Sequence, residues 1–132
     1  MLTNFTYSPG KYVDADTKVT VCATAIDAEN DPIQFEWKNV GTAACSGPMV
    51  VSNTRTDKGV TECASIDAMS AASYMFSVTT YDMITDENGN LVRIEDWLHA
   101  HGYPNDSHAS LRFPLFVSSG QVRSSTVSPP SD

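Results

Sequence analysis

Hydrophobic and polar residues alternate along several short stretches of the chain, which is the pattern of half-buried β-strands. The clearest run is 18–26 (KVTVCATAI), where Val19, Val21 and Ala23 share one side of the predicted strand. A polar, acidic turn at 27–32 joins it to a second alternating run. The remaining predicted strands are 33–40, 49–52, 60–66, 74–81, 91–94 and 110–118. The absence of a βαβ rhythm predicts an all-β chain with antiparallel sheets.

One segment has helical character. Residues 95–102 (EDWLHAHG) begin with two carboxylates, which favour the positive end of a helix dipole, and finish at Gly102, a residue typical of helix ends. Asn88-Gly89 indicates a hairpin just before it. We therefore predict a hairpin and a short helix inserted between the last two long strands, over residues 83–109.

The length of 132 residues is typical of one domain, and a hydrophobic content of 41% is that of a globular chain. Residues 119–132 are rich in Ser and Pro and are interpreted as a linker or tail. The domain is therefore predicted to span 1–118. About seven short strands with regular turn signals favour an antiparallel β-sandwich.

Two segments carry a resemblance to a known family. Residues 19–37 read VTVCATAIDAENDPIQFEW, and residues 74–82 read YMFSVTTYD. They resemble the VTLTATATDPDGDPLTYSW and YTFTVTVTD patterns of bacterial immunoglobulin-like modules, both polycystic-kidney-disease-type (PKD) and cadherin-like. The resemblance covers about half of the chain. Two features depart from the family: KNVG follows Trp37 where PKD modules carry a WDFGDG-like sequence, and 83–109 is longer than the usual turn.

The resemblance implies an immunoglobulin-like sandwich that serves as a non-catalytic module of a larger exported or cell-surface bacterial protein. Its expected role is that of a spacer or an adhesion domain, located outside the cell, at its surface or in the periplasm. The expected partners are other domains of the same polypeptide, with a polysaccharide or a surface protein as outside ligand. No cofactor is expected to be required.

Composition excludes several other classes. With 16 acidic and 8 basic residues the net charge is -8, which disfavours nucleic-acid binding and docking on anionic lipid. No apolar run approaches the roughly 20 residues of a membrane helix, so membrane insertion is not expected. Nucleophile-elbow, zinc-protease and phosphate-loop motifs are absent, so no catalytic residue is predicted.

The acidic turn is the first candidate site. Asp27, Glu29 and Asp31 occupy alternate positions, and Asp82 ends the strong strand 74–81. Calcium prefers oxygen ligands, so these four carboxylates form a candidate calcium site. The alternative is a solvated turn in which Asp side chains cap their own backbone.

Three cysteines leave at least one without a partner in the chain. Cys45 and Cys63 both lie in the polar middle region, where a bridge would fix a segment with few apolar anchors. We predict a Cys45–Cys63 disulfide. Cys22 lies within a predicted strand and is expected to be a small buried residue with a free thiol.

The insertion offers two further candidates. His99 and His101 are two residues apart and point in different directions on a helix, so shared zinc coordination by these two is disfavoured. Trp97 and Tyr103 are candidate contacts for a carbohydrate or protein ligand. The preferred interpretation packs Trp97 and Leu98 onto the sandwich, because an amphipathic helix normally buries its apolar side.

Overall fold

A computed structural model describes residues 1–119 of the chain, except 28, 30 and 69. This part contains nine strands and one short helix. The predicted tail, 119–132, lies outside the described residues apart from Ser119. The elements are β1 (Leu2–Ser8), β2 (Tyr12–Asp14), β3 (Thr17–Ala25), β4 (Ile33–Asn39), β5 (Ser46–Thr56), β6 (Gly59–Ala68), β7 (Ala72–Thr85), β8 (Leu91–Arg93), α1 (Ile94–Ala100) and β9 (His108–Ser118).

The strands form two sheets. The first has the order β1-β3-β6-β5, and all its neighbours run antiparallel. The second has the order β2-β9-β7-β4, and β8 pairs with the end of β7. All its pairs are antiparallel except β2 with β9, which is parallel and was not predicted. The predicted all-β, two-sheet architecture is confirmed.

The core lies between the two sheets, where alternate residues of both point inward. Val19, Val21 and Ala23 of β3 are fully buried, as the alternation predicts. Phe76 and Val78 of β7 meet them from the opposite sheet. The rest of the buried cluster is contributed mainly by β6 and β9: Val13, Ala64, Ile66, Tyr74, Phe113, Leu115 and Val117.

Aromatic rings concentrate around Phe113 of β9. Its ring centroid lies 4.6 Å from that of Phe5 and 5.9 Å from that of Tyr7, both on β1 of the first sheet. Phe76 and Trp37 contact it within the second sheet, at 5.6 and 6.1 Å. Centroid distances of 4.5–7 Å are favourable for ring pairs, so this cluster holds the two sheets together.

Trp37 is half-buried, and its polar edge finds a partner across the sandwich. The indole Nε1 donates a 2.7 Å hydrogen bond to Oε2 of Glu62, an inward-facing residue of β6. The Asn53 amide donates to the other carboxylate oxygen at 2.9 Å. A buried carboxylate requires such partners, so these bonds permit Glu62 to lie among apolar neighbours.

Pro114 lies within β9, although proline lacks the N–H that a ladder needs. The Phe116 N–H donates to the Lys11 carbonyl (2.8 Å), so the backbone N–H groups of alternate β9 residues point toward β2. The backbone nitrogen of Pro114 faces the same side, but it lies beyond the end of β2, where pairing between the strands requires no N–H donor. Its carbonyl accepts a 2.6 Å hydrogen bond from the Tyr7 hydroxyl, and burial raises the pKa of Tyr7 to about 12.

The sequence patterns missed parts of both sheets. β1 and β2 were not predicted, and β5 is much longer than the predicted strand 49–52. β5 lies at a sheet edge, and Met49, Val50 and Val51 are all exposed there, so its two sides do not alternate. Irregularities between Ser46 and Met49 and between Val50 and Ser52 interrupt its register with β6 and weaken the period-2 signal further.

The predicted Cys45–Cys63 disulfide is wrong. Cys22 of β3 lies directly opposite Cys63 of β6, with the Cα atoms 4.1 Å apart, and these two residues form the bridge. Both side chains point away from the core, since their strand neighbours Val21 and Ala64 point inward. Cys45 is the free cysteine among the described residues, and burial, followed by the charge of Asp67, raises the pKa of its thiol.

We expect one titratable thiol per denatured chain before reduction and three after it, because only Cys45 is unbridged. The bridge spans a separation of 41 residues, so replacing both Cys22 and Cys63 by Ser should lower the free energy of unfolding by about 4 kcal/mol. Urea unfolding measures this loss, with Cys45→Ser as the matched variant that retains the bridge. Three free thiols before reduction would contradict the assignment.

Candidate functional site

The insertion, residues 83–109, projects from one end of the second sheet. β7 pairs with β4 only as far as Asp82 and then continues to Thr85, where it pairs with β8. The intervening turn is closed by the Asp86 N–H, which donates to the Asn90 carbonyl at 2.8 Å. Among its residues only Gly89 has a positive φ, of 83°, so the predicted hairpin is present without the type I′ turn, which needs two.

The helix α1 follows β8 directly and ends where the sequence predicts. Gly102 has a φ of 86°, and the Tyr103 N–H donates to the Leu98 carbonyl at 2.8 Å. None of the residues of α1 is buried. The helix is therefore held by its side-chain partners at the surface and not by burial in the sandwich core.

Trp97 packs within the insertion. Its Nε1 donates a 2.9 Å hydrogen bond to Glu87, and its ring stacks on that of His101 with centroids 3.9 Å apart. The hydrogen bond from Trp97 lowers the pKa of Glu87. Trp97 is absent from the buried core cluster of the described residues, so the expectation that it packs onto the sandwich core is wrong. The partners that cover it come from the hairpin turn and the helix itself.

Trp97 and Tyr103 do not form one binding surface. Tyr103 is 56% exposed and lines an open cleft of about 470 Å³ with Gly102, Pro104 and the polar side chains of His99 and Asp106. Trp97 lines a different cleft, beside the hairpin turn. The two predicted ligand contacts therefore lie on separate sides of α1.

The four carboxylates of the predicted calcium site are brought together. Oxygen atoms of Asp27, Glu29 and Asp31 lie within 4.8 Å of one another. Asp82 is close to them: burial raises the pKa of its carboxyl, and the neighbouring charge of Asp27, a hydrogen bond to Asp27 and the charge of Asp31 raise it further.

The same turn also shows the alternative arrangement that the sequence left open. Asp27 Oδ1 accepts the Glu29 N–H at 2.8 Å and the Asp31 N–H at 3.5 Å. The Asp27 side chain thus caps its own turn, as Asp residues commonly do. Calcium binding by these four residues stays a prediction.

The histidines of the insertion each face a carboxylate. His101 Nε2 lies 3.7 Å from Glu87, on the side of the helix that carries Trp97. His99 Nε2 lies 3.0 Å from Asp106 Oδ1. His99 and Asp106 line the cleft of Tyr103, whereas His101 lines the cleft of Trp97. The expectation that these two histidines point to different surroundings is confirmed.

His108, at the start of β9, contacts the first turn of α1 through Glu95. Its Nδ1 lies 2.6 Å from Glu95 Oε1, and this hydrogen bond raises the pKa of the imidazole. The Ser107 N–H donates to the same carboxylate oxygen at 3.2 Å. Together these bonds fasten the segment before β9 to the first turn of α1.

A polar network continues from His108 across the outer face of the second sheet. The ring of His108 lies 5.7 Å from that of Tyr81, and the Arg93 guanidinium lies over the Tyr81 ring, 3.6 Å from its centroid. The Tyr81 hydroxyl donates to Glu36 at 3.2 Å, and Arg93 Nε donates to Gln34 at 2.7 Å. Burial, followed by the charge of Glu36, raises the pKa of Tyr81.

Sequence reasoning missed the convergence of Glu95, Asp106 and His108. Their ligating atoms all lie within 4.8 Å of one another. The signal in the sequence is weak, because an acidic residue at a helix start and a histidine 13 positions later are explained separately by the helix dipole and a surface loop. The chain reversal after Gly102 brings them together.

No family model, no curated protein and no solved structure matches the chain. Within the described residues, no helix has the length and apolar character needed to cross a membrane.

Trp97→Ala should lower the free energy of unfolding by about 1–2 kcal/mol, because the side chain is half-buried and loses one hydrogen bond and one ring stack. Phe113→Ala, at the centre of the aromatic cluster, should cost about 3–5 kcal/mol. Urea unfolding of both variants makes the comparison. Equal losses for the two would show that Trp97 belongs to the core after all.

If the acidic turn binds calcium, millimolar calcium should raise the melting temperature relative to chelator, since a ligand of the native state stabilises it by mass action. Asp31→Asn and Asp82→Asn should abolish the shift. Asp57→Asn, in the exposed turn between β5 and β6, is the matched control and should retain it. Identical melting curves with and without calcium would leave only the self-capped turn.

Proposed function

We propose that this chain is an immunoglobulin-like, non-catalytic module of a larger exported or cell-surface bacterial protein, where it acts as a spacer or adhesion domain. The observation that carries the proposal is the order of the strands. The orders β1-β3-β6-β5 and β9-β7-β4 support it, because immunoglobulin sandwiches place strands A, B, E and D in one sheet and G, F and C in the other. The family-like sequence patterns fall on β3, β4 and β7, which correspond to strands B, C and F.

The disulfide supports a location outside the cytoplasm. Bridges persist in oxidising compartments such as the periplasm and the extracellular space. Here Cys22 and Cys63 are paired across adjacent strands of one sheet. This differs from antibody domains, where the bridge joins strands B and F across the core. In this chain Phe113 and its ring neighbours supply the link between sheets that such a bridge would provide.

A second candidate function is ligand binding through the insertion. The specific observation in its favour is the cleft beside α1, where the exposed ring of Tyr103 adjoins polar side chains of His99 and Asp106. An aromatic face next to hydrogen-bonding groups suits a sugar ring, which presents apolar C–H groups and hydroxyls. The class of ligand would be a polysaccharide of a cell surface.

A panel of cell-wall and capsular polysaccharides, tested by glycan array and then by calorimetry, separates the two functions. A spacer should show no saturable binding to any of them. A binding module should show binding that Tyr103→Ala removes and that Tyr12→Ala leaves unchanged. Tyr12 is a matched control because it is 67% exposed but lies on β2, outside the insertion. Binding that both variants lose equally would point away from the cleft and overturn the second candidate.

A further inference from the structure

Three metal-ligating side chains, those of Glu95, Asp106 and His108, converge where α1 meets the segment that leads into β9, and His99 pairs with one of them. His108 Nδ1 and Glu95 Oε1 are 2.6 Å apart, and His99 Nε2 and Asp106 Oδ1 are 3.0 Å apart. The ligating atoms of Glu95, Asp106 and His108 lie within 4.8 Å of one another, so the two pairs are adjacent. We call this set the histidine–carboxylate cluster. The spacer function does not use it.

The local fold explains the convergence. Glu95 and His99 are four residues apart on α1 and therefore lie on the same side of the helix. Gly102 ends the helix and reverses the chain, which brings Asp106 and His108 back to that side. The Ser107 N–H, between them, is anchored on Glu95. Three of the four donors, those of Glu95, Asp106 and His108, are thus brought together by the fold before any ligand arrives.

We propose that the histidine–carboxylate cluster binds a divalent transition-metal ion of the zinc type. Two imidazole nitrogens and two carboxylate oxygens are a donor set that suits zinc, whereas calcium prefers oxygen alone. Tetrahedral ligands about 2.0–2.2 Å from a zinc ion lie roughly 3.3 Å from one another. Glu95, Asp106 and His108 lie within 4.8 Å of one another, so modest side-chain adjustments bring these three to that spacing. His99 is 3.0 Å from Asp106 but outside that set, and it becomes the fourth ligand by moving toward the other two.

Two of the ligands are restrained by their neighbours, and the other two are accessible to solvent. The ring of His108 packs near Tyr81, and the Glu95 side chain is only 13% exposed, so both are restrained. His99 and Asp106 line the open cleft and are accessible to an arriving ion.

The site differs from the acidic turn in ligand chemistry, and the chain supplies its own control. His101 is also on α1 and also faces a carboxylate, Glu87, but on the side of Trp97. A generic attraction of metal ions to histidine would involve His101 as much as His99. A built site would involve His99 and His108 and leave His101 unaffected.

The test uses zinc sulfate and the full chain without a histidine tag, after removal of metal by chelator. Competition with a chromophoric chelator should show one equivalent of zinc per chain. His108→Gln and Asp106→Asn should each weaken binding by about tenfold or more, while His101→Gln should match the wild type. Imidazole nitrogen resonances of His99 and His108 should shift on zinc addition, and those of His101 should not.

Circular dichroism and melting temperature in the metal-free state establish that each variant is folded. Absence of saturable binding overturns the proposal. Equal weakening by His101→Gln does so too, because it would indicate adsorption to any surface histidine. Binding that survives in His108→Gln and Asp106→Asn but is lost in Asp31→Asn would assign the ion to the acidic turn and also overturn it.

Discussion

The two sheets of this protein depend on the packing of aromatic rings around Phe113. Phe5 and Tyr7 approach it from the first sheet, while Trp37 and Phe76 approach it within the second. The disulfide lies within one sheet and contributes nothing to holding it against the other. Cohesion between the layers therefore rests on apolar burial, with the ring cluster at its centre.

Polar atoms of these same rings impose a second constraint. The Tyr7 hydroxyl and the Trp37 indole N–H are both carried toward the interior by their rings, and each must find an acceptor. Tyr7 uses the Pro114 carbonyl and Trp37 uses Glu62. Both bonds join one sheet to the other, so the requirement to satisfy polar groups also fixes how the sheets are aligned.

The insertion is held in place by contacts of a different kind from those of the sandwich. Its helix has no buried residue, and its position depends on hydrogen bonds and ion pairs such as His108 with Glu95 and Trp97 with Glu87. Such contacts contribute less to folding than a core does, so residues here can change without loss of the sandwich. The exposed ring of Tyr103, its cleft and the histidine–carboxylate cluster therefore all lie on the insertion, whose residues are not constrained by packing in the sandwich core.

From the sequence alone, strands β3, β4, β7 and β9 and the side of each that faces the core could be predicted, because their side chains alternate with a fixed period of two, whereas β1, β2 and most of β5 could not. The sequence also located the helix end at Gly102 and the acidic turn, since these depend on residues a few positions apart. Pairing between distant strands was decided by the tertiary structure. Alternation places Cys22 on the outer side of β3, yet only the register with β6 shows that Cys63 lies opposite it. Likewise, Glu95 and His108 meet because the chain reverses between them, and no local pattern encodes that contact.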